Sequence, residues 1–163
     1  ALSGGDPIIA VDLLDSKVAS ALGFGATHGV NGRDGETVLA KVQSLTGGRG
    51  ADFVFITVGS PAAVAQGIPL TRRGGTLVLV GIPDDKTTHP LPLAQTVWRE
   101  QRILGSSMGS TRLSTQIPQL VSLYLSGRLK LDELISARYP LEEINEAIAS
   151  MESGQALRNV IML

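Results

Sequence analysis

Asp12 ends the first apolar run of the sequence and is followed by two leucines, Leu13 and Leu14. In sheets that bind dinucleotides, an acidic side chain at the end of the second strand accepts hydrogen bonds from the ribose hydroxyls of the adenosine. Its carboxylate would repel the additional phosphate of NADP, and Leu13 could then flank the adenine. Asp12 could equally begin a simple turn before a helix, so this residue alone leaves both interpretations open.

Glycine directly follows two other apolar runs, as Gly59 after Val58 and as Gly81 after Val80. In open α/β sheets, ligands bind outside the carboxyl ends of the strands. Glycine at such a position allows a flat cofactor to approach the backbone closely. Tight turns also favour glycine, so each of these residues is a weak indication by itself.

A third observation is that the sequence contains no G-x-G-x-x-G motif. A dinucleotide-binding sheet has this glycine-rich turn after its first strand, where the amides at a helix N-terminus hold the pyrophosphate. Residues 47–50 (GGRG) follow a helical pattern and are interpreted as a plain loop. If Asp12 ends the second strand, the first strand and its turn lie upstream of Ala1. We therefore expect a sheet that is truncated before its first strand.

The sequence suggests no catalytic residue and no metal site. It contains no cysteine, and its two histidines, His28 and His89, lie far apart without an H-E-x-x-H motif. No serine occupies a G-x-S-x-G turn. A net charge of -1 predicts no nucleic-acid or anionic-membrane partner, and no apolar run is long enough to span a membrane. A cytoplasmic location is the default expectation.

Short apolar runs alternate with helical patterns in the first part of the chain. The runs lack strict in-out alternation, which is typical of strands buried on both faces of a parallel sheet. Helices are expected to begin near Asp15 and at Ser60, each as an N-cap. The order favours a Rossmann-type, doubly wound parallel α/β sheet. The predicted strands cover residues 7–12, 26–30, 51–58 and 75–82.

The alternation of strand and helix breaks near Met108, which we take as a domain boundary. Residues 1–108 are predicted to form a dinucleotide-binding domain and residues 109–163 a C-terminal segment. Apolar residues at helical spacing predict one helix around Leu120 and another around Ala147. Further strands are predicted over residues 102–108 and 159–163.

Several short motifs occur in a fixed order along almost the whole chain. They are residues 11–17 (VDLLDSK), 22–27 (LGFGAT), 74–83 (GGTLVLVGIP), 103–109 (ILGSSMG) and 139–147 (YPLEEINEA), followed by Gly154 and Arg158. Together they resemble the medium-chain dehydrogenase/reductase family, in particular its zinc-type alcohol dehydrogenases. The resemblance implies the cofactor-binding part of an NAD-dependent alcohol dehydrogenase.

The resemblance also implies a role for each matching residue. Asp12 and Lys17 would hold the adenosine ribose, and Arg158 would reach the pyrophosphate. The remaining positions would line the groove or contact the nicotinamide end of NAD: Thr57, Val58 and Gly59, then Val80, Gly81 and Ile82, then Ser107 and Met108.

The same resemblance implies partners outside the chain. Zinc, its ligands and the proton relay would belong to an N-terminal portion that this sequence lacks, so the chain alone is expected to be inactive. The substrate would be a small alcohol or aldehyde. Residues after about Met108 would return to the catalytic domain, and a homodimer would form through the edge strand at residues 102–108.

Three alternatives stay open at this stage. One is a zinc-free quinone oxidoreductase of the same superfamily. Another is an S-adenosylmethionine methyltransferase, which also has an acid after its second strand and a strand similar to residues 73–79. The last is a non-catalytic nucleotide-binding module.

Overall fold

The computed structural model of the protein describes residues 2–154 and 156–163. Within these residues, strands and helices alternate along the chain. In order they are β1 (Ile9–Asp12), α1 (Asp15–Gly23), β2 (His28–Asn31), α2 (Gly35–Leu45), β3 (Ala51–Ile56), α3 (Pro61–Leu70), β4 (Thr71–Leu79), α4 (Leu93–Trp98), β5 (Arg102–Gly105), α5 (Leu113–Leu125), β6 (Ile135–Pro140), α6 (Ile144–Glu152) and β7 (Arg158–Met162).

All strand pairs in the described residues are parallel. β1 pairs with β2, β4 lies between β3 and β5, and β6 pairs with β7. A helix connects the two strands of each pair, as parallel pairing requires, because the chain must return to the other end of the sheet. The predicted Rossmann-type α/β class with parallel sheets is therefore confirmed.

The chain divides into two compact units. The first contains the residues up to Asn31 together with Arg112–Leu163, and the second is Gly32–Thr111. β1, β2, β6 and β7 lie in the first unit, and β3, β4 and β5 lie in the second. The assignment of residues 1–108 to a dinucleotide-binding domain, and of residues 109–163 to a returning segment, stays a prediction.

The core of the second unit lies between α3 and one face of its sheet. Ile56, Ile68 and Leu77 are buried there, and Val54 and Ile103 pack against them. Val54 lies opposite Leu77 in the register of β3 and β4, and Leu77 lies opposite Ile103 in that of β4 and β5. Since alternate residues of a strand share a face, the apolar runs place one continuous layer under α3.

The helix starts differ from those expected. Asp15 was predicted as an N-cap, but it is the first residue of α1, and Leu14 takes the cap position without a side-chain bond. Ser60 precedes α3 as predicted, although its side chain makes no cap bond. The side chain of Asp34 caps α2 by accepting from the Glu36 N–H at 3.1 Å. A hydrogen bond from the Thr37 hydroxyl lowers the pKa of the Asp34 carboxyl.

Strand ends also differ from the expected bounds. β4 begins at Thr71, where Arg72 bonds the Asp52 side chain, and it ends at Leu79 because the next two amides turn to the carbonyl of Ile56. β5 ends at Gly105, and a 3₁₀ turn over Met108–Ser110 follows. Two elements were not predicted at all: α4, and the strand β6, whose sequence ISARYP contains no apolar run.

Candidate cofactor-binding site

Asp12 is the last residue of β1, and its side chain is exposed. Its Oδ1 accepts a hydrogen bond from the Leu14 N–H at 3.0 Å, which closes a local turn around the carboxylate. Leu13, between them, is 59% exposed. The carboxylate and an accessible apolar side chain therefore lie together at the carboxyl end of β1, the edge at which open parallel sheets bind ligands.

Asn31 lies opposite Asp12 in the register of β1 and β2. Its Nδ2 donates to the Asp15 Oδ1 at 2.7 Å and to the Leu13 carbonyl at 3.4 Å. Sequence reasoning missed this residue. The available signal was an amide side chain at the end of the strand that follows the Asp12 strand. Asn31 thus bonds both sides of the turn that carries the carboxylate.

Lys17 lies in the first part of α1, and its Nζ donates to the carbonyl of Ala156. Gly154 also lies close to the start of α1, because a Cβ on it would lie 3.5 Å from the Cδ1 of Leu14, the residue before the helix. Two residues after Ala156, Arg158 begins β7 with an exposed side chain. The ammonium of Lys17 thus joins the helix after Asp12 to the segment that leads to Arg158.

The predicted residues of the second unit all follow the carboxyl ends of its strands. Three residues follow β3, three follow β4, and two lie shortly after β5. Because these strands are parallel neighbours, the structure brings the eight positions to one edge of the sheet. They are Thr57, Val58 and Gly59, then Val80, Gly81 and Ile82, then Ser107 and Met108.

Gly59 and Gly81 allow the segments after β3 and β4 to touch. A Cβ on Gly59 would lie 2.7 Å from the Pro83 Cα, and a Cβ on Gly81 would lie 2.6 Å from the Val58 Cα. Real Cβ atoms do not approach backbone atoms this closely. The two glycines therefore allow close contact between backbone segments, a role that the sequence around them does not reveal. Their contact with a cofactor stays a prediction.

Apolar side chains at this edge are accessible. Ile82 is 87% exposed and Val58 is 56% exposed. Met108 is also exposed and has a φ of 50°, a left-handed conformation that is costly for a residue with a side chain. Strained residues of this kind often occur at binding sites. The edge therefore offers an apolar surface of the kind that a flat ligand covers.

A cleft of about 320 Å³ extends from this edge toward α3. Val58, Gly59 and Gly81 line it, as do the buried side chains of Ile56 and Leu77. The segment after β4 closes its other side and contributes His89. His28 belongs to the first unit, where it begins β2.

Among the described residues, no group of three or more His, Cys, Asp or Glu side chains could hold a metal ion. In the same part of the chain, no helix combines the length and apolar character that crossing a membrane requires.

A sequence model of the family described as zinc-binding dehydrogenase matches residues 1–126. The chain belongs to this family. An NDMA-dependent alcohol dehydrogenase of Amycolatopsis methanolica is 37% identical over 164 residues, which cover 98% of this chain and 43% of that protein. This chain thus spans less than half the length of that relative.

Two solved structures support the same relationship. An alcohol dehydrogenase zinc-binding domain protein from Burkholderia ambifaria superimposes with a TM-score of 0.92 at 37% identity, over 99% of this chain and 43% of that one. Benzyl alcohol dehydrogenase from Acinetobacter calcoaceticus gives a TM-score of 0.91 at 31% identity, over 98% of this chain and 43% of that one. The predicted kinship with zinc-type alcohol dehydrogenases is confirmed. The comparisons do not support the quinone oxidoreductase, methyltransferase or non-catalytic alternatives.

Proposed function

We propose that this chain is the cofactor-binding part of an NAD-dependent alcohol dehydrogenase acting on a small alcohol or aldehyde. The observation that carries the proposal is the Asp12 carboxylate, anchored by the Leu14 N–H at the carboxyl end of a parallel strand. A carboxylate can accept a hydrogen bond from each ribose hydroxyl, and such charge-assisted bonds are stronger than neutral ones. The kinship with alcohol dehydrogenases supplies the reaction class.

The other predicted residues receive roles by position. Leu13 would flank the adenine, and the exposed edge after β3, β4 and β5 would receive the nicotinamide end. Lys17 would assist at the ribose while its ammonium also bonds the Ala156 carbonyl, since an ammonium has three donors. Arg158 would reach the pyrophosphate from the segment that this bond anchors.

Zinc belongs to the proposal only through residues outside this sequence. The chain has no cysteine, and its described residues offer no ligand cluster. NAD, when bound, would supply the hydride acceptor for the alcohol carbon, and the hydroxyl proton would leave separately to a base. We assign no part of that proton transfer to this chain and no catalytic residue within it. By itself the chain is therefore proposed to be inactive.

Thermal melting with NADH and with S-adenosylmethionine tests the proposal. At a hundred times its Kd, a bound ligand stabilises the folded state by about 2.7 kcal/mol. For a chain of this size, that corresponds to a rise in Tm of roughly 5–11 °C. We expect this rise with NADH and none with S-adenosylmethionine.

The same preparation tests the proposal that this chain is inactive by itself and contains no catalytic residue. The polypeptide with the printed sequence should neither oxidise NADH with aldehydes nor hold one zinc per chain in elemental analysis. Turnover at rates typical of an enzyme would contradict that proposal. A rise in Tm with S-adenosylmethionine and not with NADH would contradict the assignment of NAD as the cofactor.

The proposed homodimer forms through the free edge of β5. The Ser106 N–H donates to the Leu79 carbonyl at 2.8 Å, on the β4 side. Because N–H groups alternate between the two edges of a strand, the Gly105 N–H points away from β4. A partner strand would satisfy such unpaired groups, and two-fold symmetry would pair β5 with itself.

Gly105→Pro should weaken this dimer, because proline removes the outward N–H. Gly105→Ala is the matched control, since its Cβ would meet no atom within 4 Å and the N–H is kept. Light scattering at micromolar concentration should give a dimer mass for the unaltered protein and for Gly105→Ala, and a lower average mass for Gly105→Pro. A monomer mass for the unaltered protein would refute the interface.

The remaining parts of the proposal concern location and other partners. We propose that the protein is located in the cytoplasm and that it binds neither nucleic acid nor membranes. The near-neutral charge of -1 supports the exclusion of strongly anionic partners.

A further inference from the structure

We infer that Asn31 is a positioning residue that holds the Asp12 carboxylate in place and thereby sets the choice between NAD and NADP. The inference rests on the proposed function, because it assumes that Asp12 faces the adenosine ribose. It assigns Asn31 a role that acts through Asp12.

Three hydrogen bonds hold the turn that carries Asp12. Within the turn, the Leu14 N–H donates to the Asp12 Oδ1. From the neighbouring strand, the amide of Asn31 donates to the Leu13 carbonyl and to the Asp15 carboxylate. An amide nitrogen carries two hydrogens, so one Asn31 side chain can make both bonds at once. The backbone before Leu14 and the side chain after it are thereby both bonded to the end of β2.

The strand register explains why residue 31 can do this. Asp12 and Asn31 are Cα partners at the carboxyl ends of β1 and β2. The chain leaves β1 through residues 13 and 14 and enters α1 at Asp15. An amide at the end of β2 therefore reaches the first turn residue and the first helical residue together.

Loss of this amide should act mainly on discrimination between the two cofactors. Asp12 is exposed, so its bond to the Leu14 N–H competes with water and needs an ordered turn to persist. A mobile carboxylate would bond the ribose of NAD less well and repel the phosphate of NADP less consistently. The affinity for NAD should fall, while that for NADP should stay the same or rise slightly because the repulsion weakens.

Asn31→Ala tests the inference in titrations with NAD and with NADP, with Tm recorded for each variant. We expect the ratio of the NAD affinity to the NADP affinity to fall by about threefold to tenfold, corresponding to one lost hydrogen bond of ordinary strength. Asn145→Ala is the matched control, because Asn145 is exposed on α6. It should leave the ratio unchanged.

Two further variants separate positioning from a general effect on stability. In an Asp12→Gly background, Asn31→Ala should not change the ratio further, since the group it positions is absent. Asn31→Asp combined with Asp15→Asn reverses the polarity of the 2.7 Å hydrogen bond at constant net charge. This pair should recover part of the ratio that Asn31→Asp alone loses.

The outcomes are distinguishable. If the unaltered protein binds neither cofactor, the proposed function fails, and the inference fails with it. If NAD binds but Asn31→Ala lowers Tm without changing the ratio, Asn31 is only structural and the inference alone is wrong. An equal change of ratio in the Asp12→Gly background would also overturn it.

Discussion

Replacing Asp12 by glycine is expected to move the ratio of NAD affinity to NADP affinity toward one. In NADP, one ribose hydroxyl becomes a phosphate, which would meet the Asp12 carboxylate within a few ångströms. In a partly exposed groove, such a contact costs about 1–4 kcal/mol, or roughly ten- to a thousand-fold in affinity. Glycine removes this repulsion together with the ribose hydrogen bonds, so NAD affinity should fall while NADP affinity rises.

Isothermal titration of the variant with each cofactor measures this shift. Asp85→Gly is a suitable control, because it makes the same chemical change in an exposed segment after β4. Its ratio should match that of the unaltered protein. Equal affinity of the unaltered protein for both cofactors would contradict the role assigned to Asp12. An unchanged ratio of NAD affinity to NADP affinity in Asp12→Gly would contradict it as well.

Gly81→Ala should cause a large loss of stability. The new Cβ would lie 2.5 Å from the Val58 nitrogen and 2.6 Å from its Cα. Backbone atoms cannot move aside as a flexible side chain can, so the segments after β3 and β4 must separate. We expect a loss of about 3 kcal/mol, at the upper end of ordinary overpacking. This lowers Tm by roughly 6–12 °C for a chain of this size.

Urea unfolding of Gly81→Ala and of Gly105→Ala measures the difference. Gly105 is the last residue of β5 in the same sheet, yet a Cβ there would meet no atom within 4 Å. Gly105→Ala should therefore stay within about 0.5 kcal/mol of the unaltered protein. Equal stability of both variants would show that the segments after β3 and β4 need no glycine.

Strands with strong apolar runs could be predicted from the sequence, and strands that depend on partners could not. β3 (ADFVFI) and the end of β4 (LVL) are short apolar runs of the kind that a strand covered on both faces has, although Phe53 and Phe55 of β3 are exposed. β6 alternates half-buried with exposed residues and ends at Pro140, so its sequence resembles a loop. Its strand conformation comes from pairing with β7, a contact that no local pattern reveals.

The residues of the candidate site also fall into those that the local sequence predicts and those that depend on strand pairing. Asp12 could be predicted because an acidic residue at the end of an apolar run is typical of dinucleotide-binding sheets. Asn31 could not, because its bonding partners, Leu13 and Asp15, become neighbours only through the pairing of β1 with β2. For Gly59 and Gly81 the positions were predictable, but one physical reason for glycine, close backbone contact, appeared only in the structure.

The hydrogen bond between Lys17 and the Ala156 carbonyl joins residues 139 positions apart, at the two ends of the first unit. During synthesis at 5–20 residues per second, roughly 7–28 s separate the appearance of these two residues. The second unit is continuous in sequence, so its strands and helices all emerge within that interval. On the ribosome, the turn that carries Asp12 is therefore made before the whole of the second unit, and the Ala156 carbonyl that bonds the helix beside it is made after that unit.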